Sequence, residues 1–253
     1  MILKDVIFLT GFTARAKAYA QVLDHAGYFP ELTLIYGNQN TDRPENDNEE
    51  IAEGLVDEKL LLPDLSINLL STLGKPGWKT RILKEVESVN SHDIVKYLNR
   101  LSPKLVVFCG YGGEIVGKEA LSTTQFLHVH SGWLPTFRGS TTCYYSWLEE
   151  NRLGASAIIL DAQIDTGPIV MRKRYKVPPS NIDMDYIWDP AIRADLLVEV
   201  MKYYVQNGVL PKLKEQSHER GSTYYRIHPV LKHLALCGNN LRREDQTEVK
   251  KRL

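Results

Sequence analysis

Val6-Ile-Phe-Leu-Thr-Gly-Phe-Thr13 joins a short apolar, β-prone run to a glycine turn and a threonine suited to cap a helix. The run Val6–Thr10 predicts a buried strand. Thr13 predicts the N-cap of a helix over Ala14–Ala26, which the following glycine ends. A second strand is predicted at Leu32–Tyr36. Strand, helix and strand in this order indicate a parallel pair with a crossover helix, and therefore an α/β fold.

The rest of the chain continues this alternation. Further strands are predicted at Lys104–Cys109, Phe126–His130, Ala155–Leu160 and Pro168–Val177. Helices are predicted at Arg81–Glu87, at Asp93–Leu101 and from Asp189 to the stop at Gly208. We therefore expect a mostly parallel sheet flanked by helices, with Asn38–Glu50 as a polar surface loop.

The domain organisation follows from where this regular pattern ends. Residues 1–207 are predicted to form the core domain. After Pro211 the pattern becomes irregular, so residues 208–253 are expected to form a small C-terminal extension. It would contain a strand at Thr223–Arg226 and a short helix from Pro229.

Charge and cysteine content argue against several classes of partner. Lys and Arg number 31 and so do Asp and Glu, so the formal net charge is zero and favours neither nucleic acid nor a membrane. Three cysteines without metal-ligand spacing do not form a disulfide framework or a metal site. No apolar run approaches the roughly 20 residues of a membrane helix, and the N-terminus predicts a strand instead of a secretion signal. We expect a cytoplasmic protein.

Two histidines at alternate positions of a predicted strand are the first candidates for chemistry. Residues two apart in a strand share a face, so His128 and His130 point the same way. From residue type alone, they could equally be hydrogen-bonded structural histidines. Gly132 and Pro135 then predict a turn. This turn carries an aromatic and basic mixture suited to a pocket wall, namely Trp133, Phe137, Arg138 and Gly139.

The second candidate is the loop Asp165-Thr-Gly-Pro168. An aspartate in such a loop is usually a turn former. Loops that follow neighbouring parallel strands converge at one edge of a sheet. His130, Asp165 and the Gly110–Gly113 segment all follow predicted strands, so we expect them to meet.

Together these motifs resemble the formyltransferase family. The resemblance rests on His128-Val-His-Ser-Gly-Trp-Leu-Pro-Thr-Phe-Arg-Gly139 and on Gln163-Ile-Asp-Thr-Gly-Pro-Ile169. It implies a Rossmann-like formyltransferase fold and 10-formyltetrahydrofolate as the formyl donor. Gly110–Ile115 is similar to the family's folate-binding loop. The residues implied to bind the folate are Tyr111, Gly112, Gly113, Glu114, Ile115, Asp161 and Gly167, and those implied to bind the acceptor are Gly132, Trp133, Phe137, Arg138 and Gly139.

One residue departs from the family pattern. The family has an asparagine where this chain has His128, and that asparagine donates a hydrogen bond to the oxyanion of the intermediate. The resemblance therefore implies that His128 binds the oxyanion, that His130 transfers the amine proton, and that Asp165 orients His130. An imidazole can also donate a hydrogen bond, although its ability depends on the tautomer.

The acceptor is inferred from the C-terminal segment. Gly221-Ser-Thr-Tyr-Tyr-Arg-Ile-His-Pro229 resembles the tail of nucleotide-sugar N-formyltransferases, although it could equally be a plain structural strand. We expect a nucleotide-linked amino sugar as acceptor, such as a pseudaminic-acid-type or other dideoxy amino sugar, and a homodimer. Two alternatives stay open: a formyl-folate hydrolase, and an enzyme with a metal bound by His128, His130 and Asp165.

Overall fold

A computed structural model describes residues 1–38, 60–179, 182–217 and 221–238. The strands of these segments are β1 (Ile2–Thr10), β2 (Phe29–Ile35), β3 (Thr80–Ile82), β4 (Leu105–Cys109), β5 (Gln125–His130), β6 (Phe137–Gly139), β7 (Leu153–Ile159), β8 (Ile169–Tyr175) and β9 (Ser222–Tyr224). The α-helices are α1 (Ala14–Ala26), α2 (Leu69–Leu73), α3 (His92–Leu101), α4 (Lys118–Leu121), α5 (Thr142–Glu150), α6 (Asp189–Asn207) and α7 (229–238). A π-helical turn at Met184–Trp188 leads directly into α6.

The main sheet has seven strands in the order β3-β2-β1-β4-β5-β7-β8. The five strands from β3 to β5 are parallel to their neighbours, whereas β7 and β8 are antiparallel. Helices cover both faces of the sheet. This confirms the predicted α/β fold with a mostly parallel sheet, and it places the carboxyl ends of β1, β4 and β5 next to one another.

Each face of the sheet has its own core. Helices α1 and α6 pack on one face, against side chains such as Phe8, Val107 and Val129. Helix α3 packs on the other, against Leu9, Val106 and Phe126. Because successive residues of a strand face opposite sides, the apolar runs of β1 and β4 serve both cores, as expected for parallel strands covered on both faces.

The first helix begins and ends as predicted. The Thr13 hydroxyl accepts a hydrogen bond from the amide of Ala16, and Gly27 ends the helix in a left-handed conformation with φ of 69°. Asp93–Leu101 is also helical, and α6 ends at Gly208.

The predicted helix over Arg81–Glu87 is wrong. Residues Thr80–Ile82 form β3, which extends the sheet by pairing with β2. Glu85 then adopts a left-handed backbone with φ of 65°, which interrupts any helix there. Most of the predicted Asn38–Glu50 loop lies outside the described residues.

The C-terminal segment packs on the rest of the chain. Strand β9 pairs in parallel with β6, close to the predicted Thr223–Arg226 strand. Ile227 and Ala235 are buried in a third cluster with Tyr144 and Trp147 of α5. The division into a core of 1–207 and an extension of 208–253 stays a prediction. Within the described segments, no helix combines the length and apolar character needed to cross a membrane.

Candidate active site

Strand β5 presents both predicted histidines near its carboxyl end. Leu127 and Val129 face the core formed by α1 and α6. His128 and His130 therefore share the opposite face, as the two-residue spacing predicts. His130 is buried, with 4% of its surface exposed, whereas His128 is partly exposed.

The structure brings His130 and Asp165 together. The Nδ1 atom of His130 lies 3.3 Å from Oδ2 of Asp165, and both side chains are buried. On the other side of the ring, Nε2 lies 2.7 Å from the carbonyl oxygen of Phe137 and 3.3 Å from the hydroxyl of Thr142. Burial lowers the pKa of His130, and the Asp165 carboxylate opposes this shift.

Asp165 is held in place by its backbone and by its neighbours. It has a φ of 55°, in the left-handed region that aspartate tolerates better than most residues. Its Oδ2 accepts a hydrogen bond of 2.8 Å from the amide of Gly139. The same carboxylate oxygen thus joins the predicted acceptor-binding turn to His130.

Two predicted glycines are required by close packing. A Cβ atom at Gly132 would lie 2.6 Å from Nε2 of His130 and 2.7 Å from the carbonyl oxygen of Phe137. A Cβ atom at Gly167 would lie 1.8 Å from the carbonyl oxygen of Ile159. Their places in the motifs therefore follow from sterics around His130 and around the Asp165 loop.

His128 lines a pocket at the edge of the sheet. The pocket has a volume of about 100 Å³ and is lined by Phe108, Glu114, Ile115, Val116, His128, Leu160, Asp161, Gln163, Ile164 and Asp165. Nδ1 of His128 lies 3.5 Å from the carbonyl oxygen of Phe108. Burial, followed by the guanidinium groups of Arg15 and Arg193, holds the pKa of His128 well below its usual range.

Only some of the predicted folate-binding residues line this pocket. Glu114, Ile115 and Asp161 line the pocket with His128, whereas Gly112 and Gly113 are exposed on the loop outside it. The assignment of these residues to folate binding stays a prediction.

Tyr111 and Glu114 hold the loop that follows β4. The Tyr111 hydroxyl donates to the carbonyl oxygen of Tyr36 and accepts from the amide of Phe12. The Glu114 carboxylate accepts hydrogen bonds from the Val89 amide, the Ser88 hydroxyl and the Tyr36 hydroxyl. Both side chains therefore join the loop to the ends of neighbouring strands, a role that the sequence did not indicate.

Asp161 stabilises the loop before β8 by hydrogen bonds within that loop. Its carboxylate accepts hydrogen bonds from the hydroxyl of Thr166 and from the amide of Gln163. These bonds close the loop over residues 161–166, and so they help to place Asp165 beside His130.

The predicted acceptor-binding residues are mostly packed into the protein. Phe137 is fully buried against the ring of Tyr224. Arg138 is buried and donates to the carbonyl oxygen of Ser217. Trp133 packs its ring against two arginines of strand β8, with the guanidinium carbons of Arg172 and Arg174 each 4.3 Å from the ring centroid. Contacts between these side chains and an acceptor stay predictions.

Gln216 was missed by the sequence analysis. It is buried, and its Nε2 donates to the carbonyl oxygens of Asp165 and Gly167 at 2.9 and 2.7 Å. It lies 51 residues after Asp165, in the irregular part of the chain. No motif or periodicity marks it, so only the fold shows that it holds the loop that carries Asp165.

The sequence analysis also missed an ion pair in α6 that contacts the end of β5. The Arg193 guanidinium donates to the carbonyl oxygen of Val129 and pairs with Asp189 at 2.9 Å. Asp189 in turn accepts a hydrogen bond from Ser131. The first residues of α6 thereby hold the backbone on both sides of His130.

The convergence of His130 and Asp165 is confirmed, but for a different reason than expected. Strand β7 is antiparallel to β5, so the loop after it starts at the opposite end of the sheet. The loop then folds back so that Asp165 reaches His130. Among the described residues no group of three metal-ligating side chains occurs, and the two-histidine metal site therefore has no support there.

Sequence comparison relates the chain to known enzymes. A methionyl-tRNA formyltransferase of Chloroflexus aurantiacus is 30% identical over 141 residues, which cover 54% of this chain and 44% of that protein. The chain thus matches less than half the length of this curated relative.

Comparison of folds points in the same direction. A sugar N-formyltransferase from Shewanella sp. superposes with a TM-score of 0.52 at 14% identity, over 91% of this chain and 86% of that chain. WlaRD is a sugar 3N-formyl transferase whose structure was determined in the presence of dTDP and 5-N-formyl-THF. It superposes with a TM-score of 0.53 at 15% identity, over 89% of this chain and 70% of that chain. At these identities the likeness shows the fold.

The match to a family profile covers both parts of the site. The profile of the formyl transferase family matches residues 6–187, which contain the second half of β1, the two histidines and Asp165. The chain therefore belongs to the formyl transferase family.

Proposed function

We propose that this protein transfers the formyl group of 10-formyltetrahydrofolate to the amine of a nucleotide-linked amino sugar. The observation that carries formyl transfer is the contact between His130 and Asp165, beside a pocket that His128 also lines. An amine that attacks a formyl carbon must lose a proton. Imidazole and carboxylate groups at one place can accept and hold that proton near neutral pH.

The pocket suits the ring of a formyl donor. Phe108, Val116 and Leu160 supply apolar walls, and the polar groups of Glu114 and Asp161 lie at its edge. A flat heteroaromatic ring with hydrogen-bonding edges fits such a lining. We therefore assign the folate to this pocket, with its formyl group towards His128 and Asp165.

The aromatic surface beside the site favours a nucleotide-linked acceptor. Tyr224 of β9 contacts the ring of Tyr145, with centroids 4.4 Å apart, and the next residue, Tyr225, is 80% exposed. Strand β9 pairs with β6, whose Gly139 binds Asp165. An exposed tyrosine such as Tyr225, on the segment that pairs with β6, can stack on a base or a sugar ring. The homodimer and the cytoplasmic location stay predictions from the sequence.

Release of tetrahydrofolate from 10-formyltetrahydrofolate tests the proposal. The absorbance change is recorded with a panel of nucleotide-linked amino sugars, with methionyl-tRNA, and without any amine. We expect release that depends on one of the amino sugars. Release only with methionyl-tRNA would contradict the acceptor, and equal release without any amine would identify a hydrolase instead.

A further inference from the structure

The proposed function requires one nitrogen atom that is free to take the amine proton. The further inference rests on that function and concerns which histidine provides this atom. Each imidazole has two nitrogens, and the partner of one fixes the protonation of the other. The contacts of His128 and His130 therefore decide between them.

Both nitrogens of His130 are already occupied. A carbonyl oxygen can only accept, so Nε2 must carry the hydrogen that it shares with the Phe137 oxygen at 2.7 Å. The Nδ1 atom faces the Asp165 carboxylate at 3.3 Å, and His130 is 4% exposed and does not line the pocket. An amine in the pocket can therefore reach neither nitrogen of His130 unless one of these contacts breaks.

His128 has the opposite arrangement. Its Nδ1 faces the Phe108 carbonyl oxygen at 3.5 Å, so the hydrogen of the neutral ring lies on Nδ1. Its Nε2 then carries a lone pair and has no hydrogen-bond partner among the described residues. The side chain is partly exposed and lines the pocket beside Asp165.

The charges around His128 keep its ring neutral. Burial lowers its pKa most, followed by Arg15 of α1, Arg193 of α6 and the neighbouring His130. The three carboxylates that line the same pocket are bound elsewhere, namely Glu114 to the Ser88–Val89 segment, Asp161 to Gln163 and Thr166, and Asp165 to Gly139 and His130. Among the described residues, no carboxylate therefore holds a second proton on the ring.

We propose that Nε2 of His128 accepts the amine proton, and that His130 with Asp165 is a fixed, buried pair that positions the site. The acceptor nitrogen bonds to the formyl carbon, and its ammonium proton passes to Nε2. The carbonyl then re-forms as the bond from the formyl carbon to N10 of the donor breaks, and the same proton passes from Nε2 to N10. His128 ends neutral, so protons and electrons balance. His128 thus takes the proton-transfer role that the family resemblance implies for His130.

The tautomer can be tested on the free protein. Nitrogen-15 NMR of the histidine-labelled chain distinguishes protonated from unprotonated ring nitrogens, and His128→Gln assigns the signals. We expect a protonated Nδ1 and an unprotonated Nε2 for His128 near neutral pH. A hydrogen on Nε2 would overturn the proposal, because that atom could then only donate.

Kinetics provide a second, independent test. The amides of His128→Asn and His128→Gln can donate to an oxyanion but cannot accept a proton, so we expect turnover to fall about 10²–10⁴-fold. In His128→Ala, added imidazole should restore part of the turnover. The exposed His25→Gln is the matched control and should behave as the unaltered protein.

Either outcome of the kinetic test is informative. Turnover of His128→Asn within a few-fold of the unaltered protein would overturn the proposed role and restore the oxyanion assignment. Failure of the unaltered protein to formylate any amine would instead refute the proposed function, while the NMR tautomer would still decide the chemistry of His128.

Discussion

At the scale of single residues, Asp165 connects three parts of the site through one carboxylate and one carbonyl. Its carboxylate faces His130 and accepts from Gly139, while its carbonyl oxygen accepts from Gln216. The left-handed backbone that makes this possible is unusual for a residue with a side chain. Such conformations persist where the surrounding contacts maintain them.

Removal of either member of the His130–Asp165 pair should nearly abolish turnover. In Asp165→Asn an amide replaces the carboxylate that faces Nδ1 of His130, and in His130→Ala the ring is lost. We expect turnover to fall by about 10²–10⁴-fold in each variant. Single-turnover kinetics measure the effect, and circular dichroism controls for folding. Near-normal turnover of His130→Ala would contradict the site assignment.

A methyl group at Gly132 should displace His130. Its Cβ would lie 2.6 Å from Nε2 of His130, with the backbone of Phe137 equally close. Gly132→Ala should therefore reduce both turnover and the melting temperature. Gly238→Ala, where the Cβ meets open space, is the control and should be neutral. Unchanged turnover and melting temperature in Gly132→Ala would show that the turn has room for a methyl group beside His130.

At the scale of elements, Gln216 holds the loop between β7 and β8. In Gln216→Ala two buried carbonyl oxygens lose their donors, which should lower the free energy of unfolding by about 1–3 kcal/mol. Turnover should also fall because Asp165 is no longer fixed. Denaturant unfolding and kinetics measure the two effects. Gln206→Ala, on the exposed side of α6, is the control and should change neither. If Gln216→Ala left both the free energy of unfolding and the turnover unchanged, this role of Gln216 would be contradicted.

The elements also show what the sequence could and could not predict. The alternation on β5 and the caps of α1 are local, so the shared face of His128 and His130 followed from the sequence. The direction of β7 and the position of Gln216 depend on contacts between distant segments, which local patterns do not encode. The failed helix over Arg81–Glu87 has the same cause, since pairing with the sheet overrides local helix preference.

At the scale of the whole molecule, the C-terminal segment shares a core with α5 and α6. Ile227 is 7% exposed and lies in the cluster with Trp147 and Ile192. Ile227→Ala should lower the free energy of unfolding by about 2–5 kcal/mol in a single transition. The exposed Val230→Ala is the control. A separate, low-temperature transition would instead show that residues 208–253 unfold independently.

The stability of the whole chain should depend on pH through His128. Its pKa is lowered in the folded state, so below about pH 6.5 the unfolded chain takes up the proton first. Stability is therefore present above this pH and is lost as the pH falls, by at most about 1.4 kcal/mol per pH unit for one group. Unfolding measured between about pH 7 and 5 should be less pH-dependent in His128→Gln. An equal dependence of the free energy of unfolding on pH in both proteins would contradict a neutral His128 in the folded state.

The most direct test of formyl transfer follows the formyl carbon itself. The protein is incubated with donor labelled with carbon-13 in the formyl group and with the amino sugar that supports release of tetrahydrofolate, and the products are analysed by NMR and mass spectrometry. The account predicts a labelled formamide on the sugar nitrogen, at a yield equal to the tetrahydrofolate released. Labelled formate with an unmodified sugar would contradict it and would show that water, not an amine, receives the formyl group.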